Sequence, residues 1–520
     1  MADIVLISPR FETSYWGLEQ AMPFLGKRAA FPIAALPLLA ALTPGGHRVT
    51  LIDENVEPID FERCAAADIV GLTGMSVQRF RMREILEELK RRNAFAVVGG
   101  PWITLQEDYF GALADVIFIG EAEETWPLFL AEWSEGRHRP RYEQADRTDM
   151  TRVPVPRFDL LPMRRYAFGS LQFSRGCPFT CEFCDIIVTF GRRPRLKTST
   201  QILAELEALR RQRAEFVFIV DDNLIGNRKA IKPILREVAA WQRRRGFPLT
   251  FFTEASLDLA DDDELLALLI EANVLAVFVG IESPNEAALI ETRKKQNLRG
   301  ERSLVEKVHA IQAAGLEVWC GMILGFDHDD GAIFDAHCRF LAEARIVHSM
   351  TGMLTALPKT PLHARLQREG RLDPADRSPF GSNIVPLGMS REALRDGYID
   401  LMCRLYAVDA YFERIEALYL QAKLVVGAPR RRYWSRHRWR RWRAGATACL
   451  QAAVVFARLM IRVRDVELRR EYRRRLVRLV SVRREPEVLL IYAIKCAIHV
   501  HVQALTRALA RGAGSLANTF

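Results

Sequence analysis

The 520-residue chain is poor in cysteine, with nine in all, and these are scattered apart from one tight group. An odd, scattered set does not make a disulfide framework. The start is also without the basic, apolar and small-residue regions of a secretory signal, because Met1-Ala2-Asp3 runs directly into Ile4-Val5-Leu6-Ile7. Together these absences predict a reducing, cytoplasmic compartment. The two most apolar stretches late in the chain, 444–457 and 488–502, are not continuous 18-residue apolar runs, and Lys495, His499 and His501 interrupt the second. That pattern argues against a bilayer span. Acid is scarce in one region only. From Arg430 onward there are 22 Lys+Arg against 5 Asp+Glu, so a tail of +17 is joined to a body of −7 within an overall charge of +10. A mildly acidic, enzyme-like body with a basic tail points to an anionic surface as partner for the tail alone. With 49% hydrophobic residues, the chain can bury several cores, and global disorder is excluded.

Residues 1–135 alternate short apolar runs (4–7, 49–52, 69–73, 96–98 and 116–119) with helical patterns such as 81–92, where Ile85, Leu86 and Leu89 share a face. Five buried strands with intervening helices predict a parallel, doubly wound α/β domain, Rossmann-like and flavodoxin-like. Its ligand is expected beyond the carboxyl ends of the strands. Those ends carry Ser8, Asp53, Asn55, Met75, Gly99, Gly100, Gly120 and Glu121. The glycines suit close backbone approach to a ligand, and equally suit tight strand-to-helix turns.

A polar, proline-containing linker is expected over 136–165. A second series follows over 166–375, with strand-like runs at 170–173, 216–220, 249–253, 276–281, 316–323 and 350–354. Six such units fit a partial (β/α)6 barrel of the TIM type, with its chemistry at the strands' C-terminal ends. A helical domain at 376–429 and a basic helical tail at 430–520, broken near Pro486, complete the α-helical C-terminal region.

The strongest local signal is Ser174-Arg175-Gly176-Cys177-Pro178-Phe179-Thr180-Cys181-Glu182-Phe183-Cys184-Asp185. Three thiolates in one loop can each hold one iron of a [4Fe–4S] cubane, leaving the fourth iron without a protein ligand. Four-cysteine ferredoxin patterns cap every iron instead. An open iron accepts the amino and carboxylate groups of S-adenosylmethionine. A zinc site needs a fourth Cys or His nearby, and the 100 residues after Cys184 contain none.

This CxxxCxFC loop after the first barrel strand resembles the signature of radical S-adenosylmethionine enzymes. Following a doubly wound domain, it resembles their cobalamin-binding subclass, closest to the group containing the hopanoid C-2 methylase. The resemblance spans roughly residues 1–425 and is carried by 173–185, 191–195, 220–227, 280–284, 321–327 and 356–361. It implies that Cys177, Cys181 and Cys184 hold the cluster. It also implies that Phe183 packs by the adenine of S-adenosylmethionine, and that Asp221, Asp222, Glu254 and Glu282 serve its methionyl and ribose groups. Ile323 and Gly325 then fall on the strand that backs the adenine. Asp221 and Asp222 are also placed to cap the next helix, and Phe183 and Ile323 to be plain core. Cobalamin on the first domain is implied by the same resemblance, with contacts at the eight rim residues named above. The DxHxxG motif of methionine-synthase-type modules is missing, and His47 lies in a turn before a strand. The lower cobalt ligand is therefore not expected to be a histidine of this domain.

The implied activity is cleavage of S-adenosylmethionine to a 5′-deoxyadenosyl radical and methylation of an unactivated carbon in a lipid or small metabolite. A flavodoxin- or ferredoxin-type protein would supply single electrons. A non-methylating cyclase or rearrangement enzyme needs the same cofactors and stays open. RNA methylthiolation is disfavoured, because that branch uses an N-terminal cysteine trio and residues 1–176 contain only Cys64. The tail, with three tryptophans among its arginines at 430–443, suits peripheral contact with an anionic membrane face; a solvated arginine-rich helical subdomain packed on the barrel, or an RNA-binding arm, are the alternatives.

Overall fold

The computed structural model describes residues 1–373 and 382–512; the expected boundary at 375/376 lies outside them. The first domain is a parallel six-stranded sheet of β1 (Asp3–Ser8), β2 (Arg48–Asp53), β3 (Ile69–Thr73), β4 (Ala96–Gly99), β5 (Val116–Ile119) and β6 (Arg141–Glu143), in the order 2-1-3-4-5-6. The sixth strand falls inside the span expected to be a linker. Successive side chains of a strand point to opposite faces, and here both faces are apolar. Val5, Ile7, Val70 and Leu72 pack with Ile85, Leu86 and Leu89 of the Arg79–Arg91 helix. Ile4, Leu6, Ile69 and Val97 pack with Trp126, Phe129 and Leu130 on the other side. This two-sided burial is what a parallel sheet requires.

The second sheet contains β7 (Gly169–Leu171), β10 (Phe216–Ile219), β11 (Thr250–Ala255), β12 (Val274–Glu282), β13 (Glu317–Leu324) and β14 (Ser349–Met353), all parallel and in that order. It is the open six-stranded partial barrel expected. Between β7 and β10 runs a short antiparallel ribbon, β8 (Ser174–Arg175) and β9 (Arg195–Leu196). The cysteine loop sits between the two strands of this ribbon.

After the barrel come helices Arg391–Leu405, Val408–Glu416, Ala428–Ser435, Arg438–Arg462, Val466–Val482 and Pro486–Ala510. Pro486 stands in the first turn of the last helix, where its missing N–H costs nothing. The Arg438–Arg462 and Pro486–Ala510 helices are long and apolar enough to cross a membrane by length and composition. Sixty-one per cent of the apolar stretch of Pro486–Ala510 is nevertheless buried inside the protein. Lys495 Nζ pairs with Glu317 Oε1 of β13 at 2.5 Å, and His499 Nε2 lies 3.1 Å from the Tyr406 carbonyl. This last helix is a core element of the body.

Candidate active site

The cysteine loop is held from below by two adjacent acids that follow β10. Asp221 accepts from the Phe173 amide and the Ser174 hydroxyl, each at 2.6 Å, and Asp222 accepts from the Gly176 amide at 2.7 Å. Gly176 has φ +92°, and a Cβ there would meet the Gly191 carbonyl oxygen at 2.9 Å. Only glycine fits this turn, after which the Cys177 amide donates to the Gly191 carbonyl at 3.2 Å. On the far side, Glu182 pairs with Arg365 (2.9 Å), and its backbone bonds to Thr292 and Leu362. The loop is therefore fixed at both ends.

Amide donors reach two of the thiols. Gln296 Nε2 lies 3.5 Å from Cys181 Sγ, and Asn223 Nδ2 lies 3.9 Å from Cys177 Sγ. Burial pushes the Cys177 thiol up from its ordinary value and the Cys184 thiol well above it. Among the described residues, no three His, Cys, Asp or Glu side chains close around a point that one metal ion could occupy. A cubane does not ask for that, because each thiolate serves a different iron. Three unbridged cysteines in one braced loop, with N–H groups aimed at their sulfurs, fit a cluster better than a single ion.

Of the acids expected to meet S-adenosylmethionine, Glu254 lies near the two that brace the loop. Burial, with Asp222 and Asp221 nearby, pushes the Glu254 carboxyl up to about 8. Burial, with Asp221 as a lesser contributor, pushes Asp222 up to about 7 despite its bond from Gly176. Two neighbouring carboxyls that resist ionisation leave room for a cation, and S-adenosylmethionine carries a sulfonium and an ammonium. Glu282 differs, since it already pairs with Lys294 Nζ at 2.6 Å. It sits at a register shift of β12 with φ +70°, a conformation costly for a non-glycine residue. Lys294 Nζ in turn lies 5.9 Å from the centre of the Phe183 ring, and Phe183 packs 6.1 Å from Phe326. Ile323 is buried beside them, and the Gly325 amide donates to Asp329 at 2.9 Å.

All eight rim residues of the first domain line one cavity of about 380 Å³, which Arg175, Lys197 and Asp222 of the second domain also line. Gly100, at φ +99°, has no space for a Cβ, which would meet Thr73 Oγ1 at 2.3 Å. Asp53 is partnered within this wall, by Asn55 Nδ2 at 2.7 Å and the Tyr166 hydroxyl at 2.9 Å. Glu121 is committed elsewhere: it accepts from Arg175, Arg195 and the Thr148 amide. It thereby joins the rim to the cysteine loop. His47 lies at the amino end of β2, where its Nδ1 accepts from the Ala2 amide at 3.2 Å. The cavity lies at the carboxyl ends of the strands, so His47 is at the wrong edge to reach a ligand there. The rim's glycine backbone and apolar walls fit a corrinoid held without a histidine from this position.

Sequence reasoning left Arg175, Arg195, Asn223, Lys294 and Gln296 without roles. Arg175, Arg195 and Asn223 stand in the stretches that carry the family resemblance. Lys294 and Gln296 fall in the polar run Arg293-Lys294-Lys295-Gln296-Asn297, outside those stretches. Only the fold brings it against the cysteines.

Known families match three segments: a B12 binding domain over residues 28–130, the Radical SAM superfamily over 171–341, and a domain of unknown function (DUF4070) over 360–514. An uncharacterized methyltransferase, sll1242, of Synechocystis sp. is 37% identical, covering 82% of this chain and 79% of that protein. The hopanoid C-2 methylase of Rhodopseudomonas palustris is 35% identical over 79% of this chain and 78% of its own. Among solved structures, the cobalamin-dependent S-adenosylmethionine radical enzyme OxsB with aqua-cobalamin bound shares the fold. Its TM-score is 0.60 at 14% identity, covering 98% of this chain and 81% of that one.

Proposed function

The chain belongs to the cobalamin-binding radical S-adenosylmethionine enzymes, the family of the hopanoid C-2 methylase, and from that premise we propose that it methylates an unactivated carbon of a lipid or small metabolite. The family's cofactors are a [4Fe–4S] cluster, S-adenosylmethionine and cobalamin. When bound, the cluster supplies the electron that cleaves S-adenosylmethionine to a 5′-deoxyadenosyl radical, and the corrinoid carries the methyl group. The chain's own residues position and exclude. Cys177, Cys181 and Cys184 anchor the cluster on a loop that Asp221 and Asp222 hold in place. Glu254 and Asp222 receive the cationic groups of S-adenosylmethionine, while Phe183, Ile323 and the Gly325 backbone flank its adenine. Ser8, Asp53, Asn55, Met75, Gly99, Gly100 and Gly120 form the corrinoid wall. Glu121 fixes that wall to the cluster loop.

One observation carries this reading: the rim of the first sheet and Asp222 face the same cavity. A methyl carried at the rim and a radical formed over the cysteine loop can therefore meet one substrate. The reading includes a flavodoxin- or ferredoxin-type electron donor, and a cytoplasmic location with peripheral contact at a membrane face. It is tested by anaerobic reconstitution with methyl-labelled S-adenosylmethionine, followed by mass spectrometry of host lipids and small metabolites against a deletion strain. A product heavier by one labelled methylene supports methylation. A cyclised or rearranged product with no added carbon contradicts it.

A further inference from the structure

The Arg438–Arg462 helix has two apolar faces and only one of them is covered. Ala448, Ala452, Val455 and Leu459 are buried, and the helix packs along Pro486–Ala510. It is also fastened to the N-terminal segment, where Arg458 and Arg462 donate to the carbonyls of Phe24 and Pro23. At about 100° per residue, the opposite side carries Trp439, Trp442, Leu450, Val454 and Ile461 in one stripe about 33 Å long. Trp439 is 77% exposed, Leu450 66% and Ile461 79%. Ala446, Ala453 and Ala457 fill the stripe between them and are exposed as well.

Charge narrows what covers this face. The helix contains no acid from Arg438 to Arg462. At its amino end Arg438, Arg441 and Arg443 are exposed, with no carboxylate partner among the described residues. Tryptophan and arginine together at one end of an apolar stripe suit the boundary between lipid headgroups and acyl chains. The arginines favour an anionic leaflet. A second copy of the chain suits the stripe poorly. Parallel pairing sets the arginine-rich ends together, and antiparallel pairing sets them beside Arg458 and Arg462. Crossing the bilayer would separate the buried face from the core helix Pro486–Ala510 that it packs along.

We propose that the Trp439–Ile461 face of this helix docks the enzyme flat on an anionic membrane surface. This deepens the peripheral membrane contact in the proposed function. It also corrects the extent of the contact surface: the late apolar stretch 488–502 lies in the core helix and takes no part. The same helix is tied to a segment that leads into the cavity wall. Pro23 and Phe24 sit under Arg458 and Arg462, and seven residues later Phe31, Pro32 and Ile33 line the cavity wall.

The test uses full-length protein without added cofactors, so that its outcome is independent of catalysis. Vesicles of phosphatidylcholine alone, or with phosphatidylglycerol, are sedimented with wild type, with a Leu450→Glu/Ile461→Glu variant and with an Arg438→Ser/Arg441→Ser/Arg443→Ser variant. All substituted side chains are exposed, and matching circular dichroism checks the fold. Wild type pellets with the anionic vesicles. The glutamate variant binds at least tenfold less, and the serine variant loses the preference for anionic lipid. The proposal is overturned if both variants pellet like wild type or if wild type ignores the vesicles. It is equally overturned if the glutamate change instead converts a dimer to a monomer.

Discussion

Arg175 Nη1 lies 2.9 Å from Glu121 Oε1, with the two side chains 9% and 2% exposed. Arg175 stands two residues before Cys177, and Glu121 follows β5 of the first domain. This buried pair, supported by Glu123 and Arg195, ties the rim of the first sheet to the cysteine loop. Removing one partner of such a pair leaves a buried charge, at a cost of about 3–5 kcal/mol. Glu121→Ala should therefore lower the thermal midpoint clearly more than an exposed substitution such as Glu62→Ala. The pH dependence has a definite sign. Burial pushes the Glu121 carboxyl up, but the Arg195 and Arg175 guanidiniums outweigh it, and the net shift is downward. Its stabilisation is present above the ordinary carboxylate range and is lost as pH falls through the lowered folded value. The midpoint gap between wild type and Glu121→Gln should close in strong acid.

The Gln296 amide directed at Cys181 should tune the cluster. Hydrogen bonds to cluster sulfurs raise the reduction potential. A neutral bond is worth about 1 kcal/mol, which for one electron is about 40 mV. Gln296→Leu should lower the potential by that order in a titration followed by paramagnetic resonance, with the three cysteines still ligating. An unchanged potential would remove Gln296 from this role.

Glu254 and Asp222 make the site respond to pH. With folded values near 8 and 7, they contribute stability that is fully present below the ordinary carboxylate range and is lost as pH rises through those values. The thermal midpoint of the cofactor-free protein should fall between pH 5 and 9, and Glu254→Gln should flatten that fall. Binding of S-adenosylmethionine at pH 7 should release up to about one proton from this pair. Calorimetry in buffers of different ionisation enthalpy reads that release directly. The release should shrink in Glu254→Gln.

His47 belongs to the wrong edge of the first sheet. Protein loaded with hydroxocobalamin should retain about one equivalent, and the Co(II) resonance should be the same in wild type and His47→Ala. Nitrogen splitting that disappears with His47→Ala would contradict the placement of the ligand at Ser8, Gly99 and Gly100.

The parts of the fold fixed by local chemistry were legible in the sequence. Apolar runs such as Ile4–Ile7 and Ala96–Val98 became central strands, because a parallel sheet buries both faces. The cysteine spacing needed no tertiary information. Other features depended on packing. β6 (Arg141–Glu143) has only Tyr142 buried, so no apolar run announces it. Lys495, His499 and His501 read as interruptions of an apolar helix, yet the fold gives Lys495 the Glu317 carboxylate, His499 the Tyr406 carbonyl and His501 the Ser14 carbonyl. Glu121 read as a rim contact, while its partners Arg175 and Arg195 lie 54 and 74 residues away. Long-range charge pairing of this kind leaves no periodic trace.

The most direct measurement is 5′-deoxyadenosine formed from S-adenosylmethionine by anaerobically reconstituted, reduced protein, read together with iron–sulfur absorbance near ~400 nm. Wild type should show both. Cys177→Ala, Cys181→Ala and Cys184→Ala should each lose both, while Cys64→Ala and Cys496→Ala keep them. An intact cluster and undiminished 5′-deoxyadenosine in Cys181→Ala protein would contradict the account at its centre.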